Sequence, residues 1–393
     1  MVECFIAFHF LFRGKIMKDL QEHLENEFKW FHSHPELSYQ EYETTKRLKE
    51  LLTHHGIEVL DLPLETGLVA IIRGKKEGST IALRSDIDAL PVNEETDLEW
   101  KSLHEGKMHA CGHDFHLTTI YGVALLLNEK KDQLAGNVKL IFQPAEESSL
   151  GALKIIETGV LDDVDAIFGL HSSSEFEVGT IGIKSGAVSA AVDRFEIKLR
   201  GFGTHAAHPQ AGKDPIVAIG ALIQSLQTIV SRNIDPFTSG LLSITHVEAG
   251  NTWNVIPETG LIEGTVRTLL KEDRILFEKR IKEITKGIAL AYDVEAYVNW
   301  IAGPPATLND QYWSDFAYNV AKKEHIPVET PESTLGGEDF AFYLEKIKGT
   351  FIKIGTGKTY PNHHPKFKVD PQALSKAATY LSQLAVAVLN QLK

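Results

Sequence analysis

Eight consecutive residues, His109-Ala110-Cys111-Gly112-His113-Asp114-Phe115-His116, hold a thiol, three imidazoles and a carboxylate directly ahead of an apolar run. Polar groups at that density beside apolar sequence are costly unless something binds them. Cys111 and His113 stand two apart, so both side chains reach one ion from a single turn ahead of a helix. The other readings of Cys111 are a buried inert thiol and a catalytic thiolate. Further along the chain come Gln143-Pro144-Ala145-Glu146-Glu147 and then Gly169-Leu170-His171. Soft and hard donors offered together suit zinc or manganese.

Glu146 and Glu147 are neighbours, and neighbouring side chains diverge. One carboxylate can bind a metal while the other stays free to move a proton. A metal lowers the pKa of bound water from about 15.7 toward about 7, and a nearby carboxylate can then carry that proton to a leaving nitrogen. A solvated acidic pair is the plain alternative. Asp86 closes the run Ile81-Ala82-Leu83-Arg84-Ser85-Asp86, where a carboxylate either caps the next helix or orients a ligand histidine. Among the 17 histidines, His32, His34, His54 and His55 read as ordinary hydrogen-bonding residues.

Positioning these groups falls to alternating strands and helices, the pattern of an α/β architecture. Helices are expected near 17–33 and 39–55, strands at 67–74 and 80–85, and a helix at 113–128. A strand at 137–142 delivers Glu146 and Glu147, a helix follows near 150–158, and a strand at 165–170 delivers His171. Chemistry in such sheets gathers where strands give way to loops. From about 188 the order becomes strand (193–200), helix (214–231), strands (240–248 and 258–268), helix (271–290), strand (293–300), that of a split-βαβ, ferredoxin-like unit. Pro304-Pro305 marks its exit. A helix (309–324), the Gly336-Gly337-Glu338-Asp339 turn, a strand (350–354), the loop holding His363 and His364, and a closing helix (371–391) rejoin the first unit.

The chain has 393 residues, too many for one ordinary core, so two domains are expected, one inserted in the other. With 40 basic against 53 acidic residues the net charge is −13, and the basic residues are scattered, which excludes a nucleic-acid binder. Two distant cysteines, Cys4 and Cys111, build no disulfide framework, so a reducing, cytoplasmic setting is expected. Residues 1–16 are apolar through Leu11, with Arg13 and Lys15 after the apolar run rather than before it, the wrong charge order for a signal peptide. They are also too few to span a bilayer, which needs roughly 20 apolar residues. They read as a leader outside the fold, with Met17 opening an amphipathic pattern at Leu20, Leu24, Phe28 and Phe31 and serving as the preferred start, and no membrane as a partner. A short membrane-touching anchor is the other reading.

Leu83 to Pro91, His109 to Asp114, Gln143 to Glu147, Gly201 to His205, Asn254-Val255-Ile256-Pro257 and Gly337-Glu338-Asp339-Phe340 occur together and in order. In this the chain resembles the amidohydrolase branch of the aminoacylase and carboxypeptidase G metallopeptidase family. That branch includes hippurate hydrolases, auxin-conjugate hydrolases and N-acetyldiaminopimelate deacetylases. The resemblance implies a catalytic α/β domain over 17–187 and 301–393, with a mixed central sheet and helices on both faces. It is interrupted by a smaller α+β, ferredoxin-like lid and dimerisation domain over 188–300, through which a homodimer is expected. It implies two divalent ions per subunit, zinc or manganese with cobalt or nickel as alternatives.

Carried over by motif, Cys111, His113, Glu147, His171 and His363 are metal ligands. His363 is chosen over His364 because it stands two residues before Pro365. Glu146 is the general acid/base and Asp86 supports a ligand. On the lid, His205 reaches the scissile carbonyl, while Asn254 and Arg267 hold a substrate carboxylate; His208 is structural. One departure is Ser172-Ser173-Ser174-Glu175, where relatives carry a proline-containing, aromatic-rich segment. The expected reaction is hydrolysis of the amide bond of a small-molecule N-acyl amino acid or small amide conjugate, releasing a carboxylic acid and an amino acid. A metallo-dipeptidase or aminopeptidase acting on short peptides is the alternative within that chemistry. A Cys111-dependent thiol hydrolase and a non-catalytic metal-binding protein are the alternatives outside it.

Overall fold

Runs of Val, Ile and Leu bounded by turn residues build the central sheet of the larger of two units. The computed structural model describes the backbone from Val2 and side chains from Met17 to Lys393. The expected leader, residues 1–16, lies outside the described side chains. The larger unit comprises Met1–Gly186, Leu308–Glu332 and Phe342–Lys393.

Its eight strands run, edge to edge, Glu58–Val59, Leu68–Arg73, Ala135–Gln143, Lys76–Asp86, Val164–Ser173, Gly349–Gly355, Ile181–Gly182 and Val328–Glu329. The four from Ala135–Gln143 to Gly349–Gly355 are mutually parallel, and Leu68–Arg73 and Ile181–Gly182 join them antiparallel. Parallel strands are covered on both faces, which explains why these segments read as nearly unbroken apolar runs instead of alternating ones. Val69 to Ile72, Ile81 to Leu83 and Leu140 to Phe142 are all buried. The helices His113–Glu129, Leu374–Gln391 and Val2–Ser33 share this core through Phe115, Leu381, Leu24 and Phe28. Gly122 lets them approach: a Cβ there would sit 2.8 Å from Leu24 Cδ1 and 2.9 Å from Ala378 Cβ.

The smaller unit comprises Ala187–Thr307 and Ser333–Ala341. Its strands lie in the order Gly240–Ala249, Thr259–Thr268, Ala191–Arg200, Glu295–Ala302, all antiparallel. With the helices Pro215–Arg232 and Lys271–Ala291 this is the split-βαβ arrangement. Every second residue of Ala191–Arg200 is buried, as a sheet covered on one face requires. Asp214 caps the first helix by accepting from the Ile216 N–H at 2.8 Å, with Pro215 behind it. That helix is apolar and long enough to cross a membrane by length and composition, yet its Ala218, Leu222, Leu226 and Ile229 stripe belongs to this unit's core.

The boundary between the units differs from the expected 188–300. The chain leaves the smaller unit after Thr307, and residues 333–341, with the Gly336-Gly337-Glu338-Asp339 turn, belong to it as well. Backbone bonds explain the return: the Ala190 N–H donates to Gly336 O at 2.9 Å and the Thr334 N–H to Val188 O at 3.0 Å. Two further expectations shift at their starts. The helix placed at 39–55 begins at Tyr42, and the closing helix opens with a 3₁₀ turn over Pro371–Ala373 before Leu374–Gln391.

Candidate metal centre and active site

The carboxyl ends of the four parallel strands carry the polar groups. Lys76–Asp86 ends on Asp86 with Asp88 two residues on, Ala135–Gln143 runs into Glu146 and Glu147, and Val164–Ser173 contains His171. Gly349–Gly355 leads into the loop of His363. Cys111 and His113 flank Gly112, which ends the preceding loop with φ +85° and begins the helix His113–Glu129. Only glycine fits there, because a Cβ would lie 2.5 Å from Ser172 Oγ.

Cys111 Sγ lies 3.5 Å from His171 Nε2 and accepts from Asn362 Nδ2 at 3.4 Å. Glu147 Oε1 lies 3.4 Å from His363 Nε2 and 3.9 Å from His113 Nε2. The donor atoms of Cys111, His113 and His171 fall within 4.8 Å of one another, as do those of Cys111, Glu147 and His363, and those of His113, Glu146 and Glu147. All five expected ligands and Glu146 therefore converge. The loop carrying His363 is held by its own N–H, which donates to Ala110 O at 2.7 Å, with His363 at φ +69°.

Hydrogen bonding sets the tautomers. The His171 Nδ1–H donates to Ser172 O at 2.8 Å, which leaves the Nε2 lone pair facing Cys111. Burial holds His171 well below the usual histidine range, so this ring is neutral. Burial also opposes charge on His113, yet Asp86, Asp88 and Cys111 raise it well above the usual range. His363 rises to about 10 because Cys111 and Glu147 lie beside it. The cluster thus draws positive charge, and protons on His113 and His363 answer that demand when no cation does. Buried His113 Nε2 and Glu147 Oε1 make no hydrogen bond. Two orphaned donor atoms aimed at one another across 3.9 Å fit a shared cation between them.

Asp86 was the expected support, but the carboxylate closest to His113 is that of Asp88, whose Oδ1 accepts from His113 Nδ1 at 3.3 Å against 3.8 Å for Asp86. Asp86 instead takes the Nδ1–H of His116 at 2.6 Å and the guanidinium of Arg84 at 2.7 Å. His116 Nε2 accepts the Ser172 N–H at 2.7 Å, so its ring is neutral and fixed in place beneath His171. Asp88→Asn is expected to weaken cation affinity about 10–100-fold, as loss of a partner behind a ligand does. Competition against a chelating dye measures it, and unchanged affinity would remove Asp88 from that role.

His32 departs from the ordinary role expected of it. It is buried between Asp114 Oδ2 at 2.6 Å and Glu94 Oε1 at 3.1 Å. Burial works against its charge, but its hydrogen bonds to Asp114 and Glu94 raise it to about 9. The resulting imidazolium ties the helix Val2–Ser33 to the residue following His113.

On the smaller unit, His205 and Asn254 adjoin. His205 pairs with Val255 across a two-stranded ribbon, and the Ala206 N–H donates to Asn254 O at 3.0 Å. Arg267 stands on another sheet, on Thr259–Thr268, half-buried with Nε donating to Thr265 Oγ1 at 3.2 Å. Burial lowers it from the usual arginine value.

The model of peptidase family M20/M25/M40 matches residues 82–387. The chain belongs to this family. Among M20 relatives, the N-acetylcysteine deacetylase of Bacillus subtilis (strain 168) is 47% identical over 363 residues, covering 92% of this chain and 96% of that one. Thermostable carboxypeptidase 1 of Saccharolobus solfataricus is 39% identical over 393 residues, covering 95% of this chain and 100% of that one. A crystal structure described as a dinuclear metal binding peptidase of the M20 family from Bacillus subtilis superposes with TM-score 0.87 at 44% identity, covering 95% of this chain and 99% of that one. The fold and the enzyme class expected from the motifs are therefore those of M20 amidohydrolases.

Proposed function

We propose that the chain hydrolyses the amide bond of N-acyl amino acids, N-acetyl amino acids foremost, at a centre of two divalent cations. The observation that carries this reading is the meeting of Cys111, His113, Glu147, His171 and His363 with Glu146 alongside. Zinc and manganese suit the thiolate, imidazole and carboxylate donors, with cobalt and nickel as further occupants. Bound there, such cations supply an acidified water and a polarised acyl carbonyl.

Glu146 takes the proton of the attacking water and hands it to the leaving amine. Asp88 and Asp86 keep the rings of His113 and His116 oriented. His205 offers an imidazole to the developing oxyanion, and Asn254 and Arg267 hold the carboxylate of the amino acid. Ser172, in the segment that departs from its relatives, donates through Oγ to Cys111 O at 3.1 Å and so braces the loop that presents Cys111. A homodimer through the smaller unit and a cytoplasmic setting accompany this reading.

The 39% identity to a carboxypeptidase favours one second reading, cleavage of short peptides. A panel of N-acetyl, N-benzoyl and longer N-acyl amino acids beside dipeptides, with added zinc or manganese, separates the two. Release of free amino acid fastest from N-acyl substrates is expected. Faster cleavage of dipeptides would replace the proposal with the peptidase reading, and no turnover of any member would overturn both.

A further inference from the structure

We propose that Glu41 is a positioning residue for Glu146: Asp88 holds the peptide N–H groups of Glu146 and Glu147, and Glu41, by gripping the N–H of Ala145 just ahead of them, fixes where Glu146 points. This rests on the reading of Glu146 and Glu147 given above. Glu41 sits just ahead of the helix Tyr42–His54 and is fully buried. Its Oε1 accepts from the Ala145 N–H at 2.8 Å. Asp88 Oδ1 takes the next N–H, that of Glu146, and Oδ2 that of Glu147, each at 3.0 Å.

The turn being held is not one the chain adopts freely. Ala145 has φ +56°, a left-handed conformation that a residue with a Cβ avoids. It is fully buried, so its N–H depends on an acceptor supplied by the protein. The rest of the turn is braced from within: the Ser149 N–H donates to Glu146 O at 2.7 Å and the Gly151 N–H to Ala145 O at 3.2 Å. Gly67 packs beneath it, where a Cβ would meet Pro144 Cδ at 2.5 Å. Glu41 holds Ala145 itself from a distant part of the chain, reaching across 104 positions of sequence. Burial, with the charge of Asp88 added, raises the Glu41 carboxyl to about 7. A carboxyl kept in so unfavourable a place is costly unless its acceptor oxygen is used. The carbonyl oxygen of a protonated acid, or of an amide in its place, still accepts from the Ala145 N–H, so the hydrogen bond rather than the charge is what matters.

The test compares Glu41→Gln, which keeps an acceptor oxygen, with Glu41→Ala, which does not. On the best N-acyl amino acid, kcat of the Gln variant should stay within about threefold of the parent. The Ala variant should lose about a hundredfold, the effect of misplacing a reacting group by roughly 1 Å. KM, cation content and folded fraction should be little changed in both. Amide hydrogen exchange over 144–148 should accelerate in the Ala variant alone. Should Glu41→Ala not fold, Glu41→Asp, one methylene short, takes its place with the same expectations. A parental kcat in the loss variant, a loss that tracks cation content or folded fraction, or unchanged exchange over 144–148 would each overturn the inference. Exchange that accelerates in a protein hydrolysing no N-acyl amino acid would overturn the proposed function and leave the grip standing.

Discussion

Glu146→Gln lowers kcat on an N-acyl amino acid by about 10³-fold while leaving cation content and melting temperature near those of the parent, the scale of losing a positioned acid–base group. The substitution keeps the size and shape of the side chain and removes only its capacity to carry a proton. Glu146 is 9% exposed and its donor atoms lie within 4.8 Å of those of His113 and Glu147, at the rim of the cluster. A role confined to holding a cation would give a different result, lowering affinity for the metal and recovering activity when more is added. Activity of the Gln variant within tenfold of the parent at saturating metal would sink the assignment. Steady-state kinetics with elemental analysis of the same preparations decides it.

Removal of divalent cations by a chelator abolishes turnover to the level of the uncatalysed reaction, and zinc or manganese restores it. Without a cation nothing at the cluster acidifies water, and His113 and His363 hold protons in its place. Those protons must leave before a metal can enter, so reloading is faster at alkaline pH and releases acid, which a weakly buffered titration registers. A thiol hydrolase acting through Cys111 would ignore the chelator and yield an acyl-enzyme visible by mass spectrometry. Chelator-resistant activity would therefore overturn the metal centre and revive the thiolate.

The residues that meet at the site were legible because their types are rare in combination. Cys111 and His113 could be read from their spacing, Glu147, His171 and His363 were assigned through the family that the motifs resemble, and the strands could be read from their unbroken apolar runs. Asp88 was harder. Residues 86 and 88 share one face of an extended chain, and nothing in Asp86-Ile87-Asp88 says which carboxylate is nearer His113. Glu41 was invisible because its bond to Ala145 spans 104 positions and no periodicity encodes it. His32 was passed over for the same reason, its partners Asp114 and Glu94 being 82 and 62 positions away. Strands of two residues, such as Ile181–Gly182 and Val328–Glu329, carry too little pattern to be recognised. The return of residues 333–341 to the smaller unit is fixed by backbone bonds, to which side-chain identity is nearly blind.

The order of strands in the larger sheet bears on synthesis. Val164–Ser173 has Gly349–Gly355 as its neighbour, and that strand is translated long after it. A nascent chain that has emerged only as far as residue 186 therefore presents the open edge of a buried apolar strand for the time the ribosome takes to read the whole inserted unit. The same delay withholds His363, which joins Cys111 and Glu147 only after the inserted unit has been made. Assembly of this cluster is in that sense deferred by the threading of one sheet.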